Sequence, residues 1–157
     1  MTYKIVIPDD DQLFAAVLLG IEMWKESPVY RFMTKDIDLM HEYAEEAMLN
    51  KNSFVRVVLD DDEKCVGFMV GYLSKFGFAK ETVARDQMLF IDPKHRSGGL
   101  ASTMIKEFEK WSVDKGAKLV MLSASAGIDN EKTAALFNML GYKTAGIITA
   151  KEMSDVL

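Results

Sequence analysis

The sequence predicts one mixed α/β domain. Its 157 residues match the usual size of a single domain, and a chain of that length buries about two thirds of its unfolded surface. Strand-like and helix-like segments follow one another in the order β-α-α-β-β-β-α-β-α-β, with no internal repeat and no linker. We therefore expect residues 1–157 to form a single α/β (α+β) domain, with helices packed on a mixed sheet.

The first third of the chain predicts a strand and two helices. Alternating apolar residues over 3–7 favour a strand that ends at Pro8. Asp9, with Gln12 three residues later, has the pattern of a capping box, and the helix that it starts should end near Glu26. Apolar residues recur at helical spacing in both helices, as Leu13, Phe14, Val17, Leu18, Ile21 and Trp24, and then as Ile37, Met40, Tyr43, Ala44, Ala47 and Met48.

The middle of the chain predicts three strands in succession. Residues 54–59 are rich in β-branched side chains, residues 60–63 form an acidic turn, and residues 65–73 are again apolar, so an antiparallel hairpin is expected. The next strand covers residues 82–91. It should end where an Asp-Pro pair follows.

The rest of the chain alternates between helices and strands. A third amphipathic helix runs up to Gly116, whose tolerance of positive φ suits a helix end. A short buried strand is expected at 119–123. A fourth helix follows, with Asp129 or Asn130 as its cap. Residues 146–150 are expected to form the last strand.

Composition disfavours several classes of function. The net charge is −5, with 24 acidic against 19 basic residues, so binding to nucleic acid or to an anionic membrane surface is not expected. Cys65 is the only cysteine, which excludes an intrachain disulfide and a four-thiolate metal centre, and we expect no bound metal. The N-terminus lacks a signal-peptide pattern, and no apolar stretch has the length of a membrane span. We expect a cytoplasmic protein.

Residues 93–101 have the features of an anion site. They join a predicted strand to a predicted helix, and Gly98 and Gly99 lie where the helix begins. The first N–H groups of a helix have no internal acceptor and lie at the positive end of its dipole, so a diphosphate can accept several of them. Glycine has no Cβ to keep a phosphate away, and Arg96 adds a permanent cation. The alternative is that the two glycines only make a tight turn.

The pattern around these glycines resembles the GNAT acetyltransferases. Neither a P-loop nor a Gly-x-Gly-x-x-Gly dinucleotide motif occurs. The GNAT signature Arg/Gln-x-x-Gly-x-Gly/Ala, in contrast, matches Arg96, Gly99 and Ala101. A second block, residues 130–142, is similar to the Asn, small residue, aromatic and Gly-Phe/Tyr series near the family's C-terminus. The likeness covers the whole chain in element order and is residue-specific over 82–142.

The resemblance implies an N-acetyltransferase that uses acetyl-coenzyme A (acetyl-CoA) as cosubstrate and acetylates a primary amine. In the family, two neighbouring parallel strands splay apart and admit the pantetheine arm; here these would be the strands at 82–91 and 119–123. The acceptor would be a small-molecule or protein amine, and a homodimer is common in the family. The implied cofactor contacts are Leu89, Phe90 and Ile91 for pantetheine, Arg96, Ser97, Gly98, Gly99, Leu100 and Ala101 for the diphosphate, and Asn130 and Phe137 nearby.

The catalytic groups match the family less well. The family's tyrosine that protonates the departing thiolate falls on Phe137, which has no proton to give. Either water or a hydroxyl such as Ser125 or Thr133 replaces it, or the domain binds acetyl-CoA or a protein partner without fast turnover, as an interaction or inhibitory module. For the base that accepts the proton of the amine we select Asp86, with Glu81 as the alternative.

Two apolar connections are candidates for the acceptor side. Tyr30, Phe32 and Met33 lie in one, and Phe76 and Phe78 lie in the other. Connections with several large apolar groups often line a pocket or an interface, although these residues could instead cover the core. The acidic balance of the chain favours a cationic or polyamine-like acceptor.

Overall fold

The chain folds around one five-stranded sheet. The computed structural model describes residues 1–153. Within them the strands lie side by side in chain order, antiparallel from the first to the fourth and parallel between the last two. The sheet is therefore mixed, as predicted. The strands are β1 (Lys4–Val6), β2 (Ser53–Leu59), β3 (Cys65–Lys75), β4 (Thr82–Ile91) and β5 (Ala117–Met121).

Helices cover both faces of the sheet. In the described residues they are α1 (Asp10–Glu26), α2 (Ile37–Leu49), α3 (Leu100–Asp114) and α4 (Asn130–Met139). Neighbouring residues of a strand point to opposite faces. Accordingly Val57 packs with residues of α1 in one core cluster, and Val58 packs with residues of α3 in another. No helix within residues 1–153 is long and apolar enough to cross a membrane.

Local signals at the helix ends were read correctly in most cases. The Asp9 carboxylate accepts the N–H of Gln12 at 2.9 Å, and the Gln12 side chain accepts the N–H of Asp9 at 3.1 Å, so the capping box of α1 is confirmed. Gly116 follows α3 with a φ of 77°. Asp129 precedes α4, but its carboxylate lies 3.0 Å from the Lys132 ammonium and makes no capping hydrogen bond.

Two predictions about strands were wrong. β5 ends at Met121 and not at residue 123, and it is not a buried strand, since Leu119 is 47% exposed. Residues 146–150 form no strand, and Ile147 and Ile148 are 89% and 73% exposed. β-Branched residues favour a strand through packing against a neighbouring strand. Among the residues that the structure describes, no strand pairs with this segment.

Candidate active site

β4 and β5 separate half-way along β4. Their parallel pairing runs from Thr82 opposite Ala117 to Arg85 opposite Met121 and then ends. At the next position, the Asp86 carboxylate accepts the backbone N–H of Ser123 at 2.9 Å. A side chain thus takes the place of a strand pair, which is why β5 is shorter at this end than predicted. Beyond Asp86, β4 has no described strand partner on this side.

A bulge in β4 falls at the same place. Asp86 pairs with Gly71 of β3 and Met88 pairs with Val70, which leaves Gln87 as an extra residue in β4. A bulge bends its strand and increases the local twist. The bend and the loss of pairing coincide, so the two strands diverge from Asp86 onward, as the splayed-strand expectation required.

A cavity of about 620 Å³ lies where the strands diverge. Its walls come from residues 86–91 of β4, the loop 123–129 after β5, α4, the start of α3, and the end of α1 with Tyr30. Pockets for small molecules usually have volumes of about 300–1,000 Å³. The cavity is therefore large enough for a small-molecule site.

Most of the site residues expected from the sequence line this cavity. Leu100 does not, because it is buried in the core cluster beside α3. Asn130, exposed at the first position of α4, and Gly99, directly before α3, also lie outside the cavity wall. The residues that do line it are Asp86, Leu89, Phe90, Ile91, Arg96, Ser97, Ala101 and Phe137.

Residues 93–101, where the sequence predicts an anion site and which we call the phosphate turn, lead into the N-terminus of α3. Its first part, Pro93–Gly98, is a 3-10 helix capped by Asp92. Gly99 then adopts a left-handed conformation (φ 71°, ψ 12°), and α3 begins at the next residue without a side-chain cap. A Cβ at Gly99 would meet nothing within 4 Å, so the glycine is needed for its positive φ and not for space. The first N–H groups of α3 have no intrahelical acceptor and are available to an anion.

The Arg96 side chain is engaged by the protein itself. Its Nε donates to the Ile91 carbonyl at 2.9 Å, and both terminal nitrogens donate to the Glu26 carboxylate at 2.6 Å. The guanidinium also lies over the Phe90 ring, 5.2 Å from its centroid. Arg96 therefore ties the phosphate turn to the end of α1, and Glu26 balances its charge. The free backbone N–H groups, more than this side chain, make the turn a candidate anion site.

Asp86 is the unusual carboxyl group of the cavity. Burial raises its pKa to about 6, and the hydrogen bonds from Ser123 act in the opposite direction. Two phenols lie near it: burial and the Asp86 charge raise the pKa of Tyr30, and burial, the bond to Glu109 and the Asp86 charge raise that of Tyr142. The structure thus places a partly desolvated carboxyl group near two neutral phenols. Its alternative from the sequence, Glu81, is exposed and lies outside the cavity.

The acceptor link, residues 27–33 between α1 and α2, is held by a residue that the sequence reasoning missed. The Ser27 hydroxyl is fully buried and donates to the Ala126 carbonyl at 2.5 Å. It also accepts the backbone N–H groups of Val29 and Tyr30, at 3.2 and 3.0 Å. Ser27 thereby joins the link to the loop after β5 and holds Tyr30 at the cavity. Its sequence signal is a Ser-Pro pair after a helix, a pattern that by itself indicates only a turn.

Gly127 allows this contact between link and loop. It has a φ of 71°, and a Cβ at this position would lie 2.9 Å from Cγ of Pro28. Only glycine combines this backbone conformation with so close an approach.

The wall formed by α4 has no tyrosine at the expected position. Phe137 lines the cavity, and its ring centroid lies 6.1 Å from that of Tyr142. Ser125 and Thr133 line it as well, and the Thr133 hydroxyl donates to the Asp129 carbonyl at 3.1 Å. Phe137 therefore contributes packing, and the two hydroxyls considered as replacements are both at the cavity.

The two apolar connections differ in whether they line the main cavity. Phe76 and Phe78 stack on one another, with ring centroids 5.4 Å apart, and do not line the cavity. Phe32 and Met33 line a smaller cleft against residues 150–153. Of these apolar candidates, Tyr30 alone reaches the main cavity. Within residues 1–153, no cluster of three or more His, Cys, Asp or Glu residues could hold a metal ion.

Comparisons with known proteins agree with this geometry. A model of the acetyltransferase (GNAT) family matches residues 19–142. The aminoglycoside 6'-N-acetyltransferase AAC(6')-Ih of Acinetobacter baumannii has a TM-score of 0.76 at 16% identity, over 96% of this chain and 97% of that one. AAC(6')-Iy with the bisubstrate analogue CoA-S-monomethyl-acetylneamine has a TM-score of 0.75 at 17% identity, over 97% and 98%. An acetyltransferase of Trypanosoma brucei has a TM-score of 0.73 at 16% identity, over 96% and 99%. No curated protein sequence matches the chain.

Proposed function

Because the chain belongs to the acetyltransferase (GNAT) family, we propose that it transfers the acetyl group of acetyl-CoA to a primary amine by direct attack in a ternary complex. The observation that carries the proposal is the separation of β4 from β5 at Asp86. It opens a cavity whose wall includes Ala101, in the first turn of α3, and the half-buried carboxyl group of Asp86. A cosubstrate with a diphosphate and a reactive thioester suits both features.

We place the diphosphate on the backbone N–H groups of the phosphate turn. The pantetheine arm then runs along Leu89, Phe90 and Ile91, where β4 has no described partner toward β5 and its backbone groups can bond the amides of the arm. The structure of AAC(6')-Iy with a CoA-containing bisubstrate analogue supports a coenzyme A site on this fold. Neither placement needs a metal ion.

We assign proton transfer to Asp86. The amine nitrogen attacks the thioester carbonyl carbon, a C–N bond forms, and the nitrogen becomes acidic and gives a proton to the Asp86 carboxylate. The C–S bond then breaks, and the thiolate of coenzyme A leaves and takes up a proton. A backbone N–H of β4 near Leu89 or Phe90 polarises the carbonyl during attack. With a pKa of about 6, Asp86 is mainly ionised at neutral pH and can act as this base.

A domain that binds acetyl-CoA without fast turnover is the second candidate function, and Phe137 is the observation that favours it. Because Phe137 cannot protonate the thiolate, that proton has to come from water or from the hydroxyl of Ser125 or Thr133. The two functions share the cofactor site and differ only in the rate of transfer.

Release of the coenzyme A thiol in the presence of a panel of primary amines separates the two. We expect turnover with at least one amine, and a decrease in kcat of roughly 100-fold or more for Asp86→Asn. Asp114→Asn, an exposed carboxylate at the end of α3, is the matched control and should leave kcat unchanged. Binding of acetyl-CoA without thiol release from any amine would support the binding module. Full activity of Asp86→Asn would exclude Asp86 as the base.

A further inference from the structure

The charges that line the cavity are unequally neutralised. The charged lining residues are Asp86, Arg96, Asp129 and Lys132. Glu26 pairs with Arg96 through both oxygens at 2.6 Å, and Asp129 lies 3.0 Å from Lys132. Asp86 makes no ion pair with any residue that the structure describes. Among the described residues, Asp86 is therefore the one cavity carboxylate that is available to the amino group of a substrate.

Two carboxylates that do not line the cavity, Glu26 and Glu109, are hydrogen-bonded to other side chains. Glu26 is used by Arg96, and Glu109 accepts the Tyr142 hydroxyl at 2.7 Å. The phenols of Tyr30 and Tyr142, which are close enough to Asp86 for its charge to raise their pKa values, are neutral. A second ammonium of an acceptor would find no unpaired carboxylate in this wall.

Most of the cavity wall outside its charged residues is apolar. Met23 and Phe90 belong to one buried cluster, against which Tyr30, Met88 and Ile128 pack. All five residues line the cavity. Transfer of an unpaired ammonium from water to such a wall is costly, whereas an alkyl or aryl group gains from burial there.

From this wall we infer the class of acceptor: a monoamine whose remaining part is apolar, bound with its one amino group beside Asp86, and not a polyamine or an aminoglycoside. The inference rests on the proposed acetyl transfer and restricts the range of amines that can act as acceptor. It is contrary to the polyamine-like acceptor that the net charge of −5 favoured. The overall charge describes the whole surface, while selectivity depends on the few groups that line the cavity.

Matched pairs of amines test the inference directly. Hexylamine and hexamethylenediamine have the same chain length and differ only in a methyl or an ammonium group at the far end; butylamine and putrescine form a shorter pair. At saturating acetyl-CoA, we expect kcat/KM to be at least about tenfold higher for each monoamine than for its diamine. Kanamycin should be slower than both monoamines. Equal or higher kcat/KM for the diamines or kanamycin would overturn the inference and leave the acetyltransferase proposal intact.

A charged variant of the wall provides a second test. Ile128→Glu adds a carboxylate to the apolar wall, and Ile128→Gln adds a neutral group of the same shape. The ratio of diamine to monoamine kcat/KM should rise about tenfold for Ile128→Glu and stay unchanged for Ile128→Gln. The same ratio in both variants would show that the charge of the wall does not select the acceptor. If neither variant folds, the comparison of kcat/KM for the matched amines with the wild-type protein decides the question. Binding of acetyl-CoA with turnover of none of the amines would overturn the inference together with the transfer step.

Discussion

The cofactor side of the cavity, at the phosphate turn, and the acceptor side, at the acceptor link, are built from different chemical groups. On the cofactor side, the phosphate turn offers backbone N–H groups, and the positive φ of Gly99 lets α3 begin there. On the acceptor side, the hydroxyl of Ser27 holds the acceptor link through three hydrogen bonds. Every residue except proline has a backbone N–H donor, whereas a hydroxyl belongs to one side chain. Changes of side chain should therefore alter the use of the amine much more than the binding of acetyl-CoA.

The largest effect is expected where the two sides meet, at Asp86. Its pKa of about 6 is raised by burial, and the carboxyl group must be ionised to accept a proton. With both substrates saturating, kcat should rise about tenfold per pH unit below pH 6 and level off above it. Tyr30 and Tyr142, which face Asp86, have raised pKa values and stay neutral over this range. Initial rates of the wild type and of Asp86→Asn from about pH 4 to about pH 8 measure the profile, and the variant should lack the inflection.

Asp86 should also make the free energy of unfolding depend on pH, in the direction opposite to that of kcat. Because its pKa is higher in the folded state than in the unfolded state, the folded state binds the proton more tightly between the two values. The contribution of Asp86 to the free energy of unfolding should fall as the pH rises from about 4 to about 6, and then stay constant. Urea denaturation of the wild type and Asp86→Asn at several pH values measures the difference. A wild type that gains stability relative to the variant over this interval would contradict the buried carboxylate.

An intermediate effect is expected for Ser27→Ala. Loss of the hydroxyl leaves the Ala126 carbonyl and two N–H groups without their partner, which should lower the free energy of unfolding by about 1–3 kcal/mol. The freed link should raise KM for the amine by roughly tenfold, while Kd for acetyl-CoA changes by less than about twofold. Steady-state kinetics and calorimetry give the two constants.

Ser112→Ala is the control for this variant. Ser112 is also fully buried, but its hydroxyl donates to the Phe108 carbonyl within α3, away from the cavity wall. The Ser112→Ala variant should lose stability without a change in KM for the amine. Two results would show that the acceptor link does not act on the amine alone. One is that Ser27→Ala weakens the binding of acetyl-CoA as much as that of the amine, and the other is that both variants raise KM for the amine equally.

The smallest effect is expected for Arg96→Gln. The Arg96 charge is already balanced by Glu26, so its loss should weaken acetyl-CoA binding only about threefold. Calorimetry at low and high salt measures this loss. A decrease of 100-fold would mean that this side chain, and not the backbone of the turn, holds the diphosphate.

The same contrast explains what could be predicted from the sequence. The phosphate turn and the capping box at Asp9 depend on residues close together in the chain, and their patterns can be read locally. Asp86 was selected as the candidate base because the family resemblance places its strand beside the acetyl group, and its position at the cavity is the part that the structure describes. The prediction of β4 was also correct at both ends, since residues 82–91 form one β-rich run before an Asp-Pro pair.

The rest depends on contacts between distant residues. Ser27 and Ala126 are 99 positions apart, and Glu26 and Arg96 are 70 apart, so no local pattern reveals either pair. The early end of β5 comes from the Asp86 carboxylate, which takes the N–H of Ser123. The strand expected at 146–150 failed because β-branched residues do not by themselves provide a neighbouring strand.

Titration calorimetry with acetyl-CoA tests the central claim most directly, on the wild type, Gly99→Glu and Gly116→Glu. Both glycines have similar positive φ values, 71° and 77°, and open space at Cβ, but they lie at opposite ends of α3. Both variants therefore have comparable backbone strain, and only Gly99→Glu puts a carboxylate beside the diphosphate. We predict binding to the wild type and Gly116→Glu, and a loss of at least about 100-fold for Gly99→Glu. Absence of binding to the wild type, or equal binding to both variants, would contradict the account.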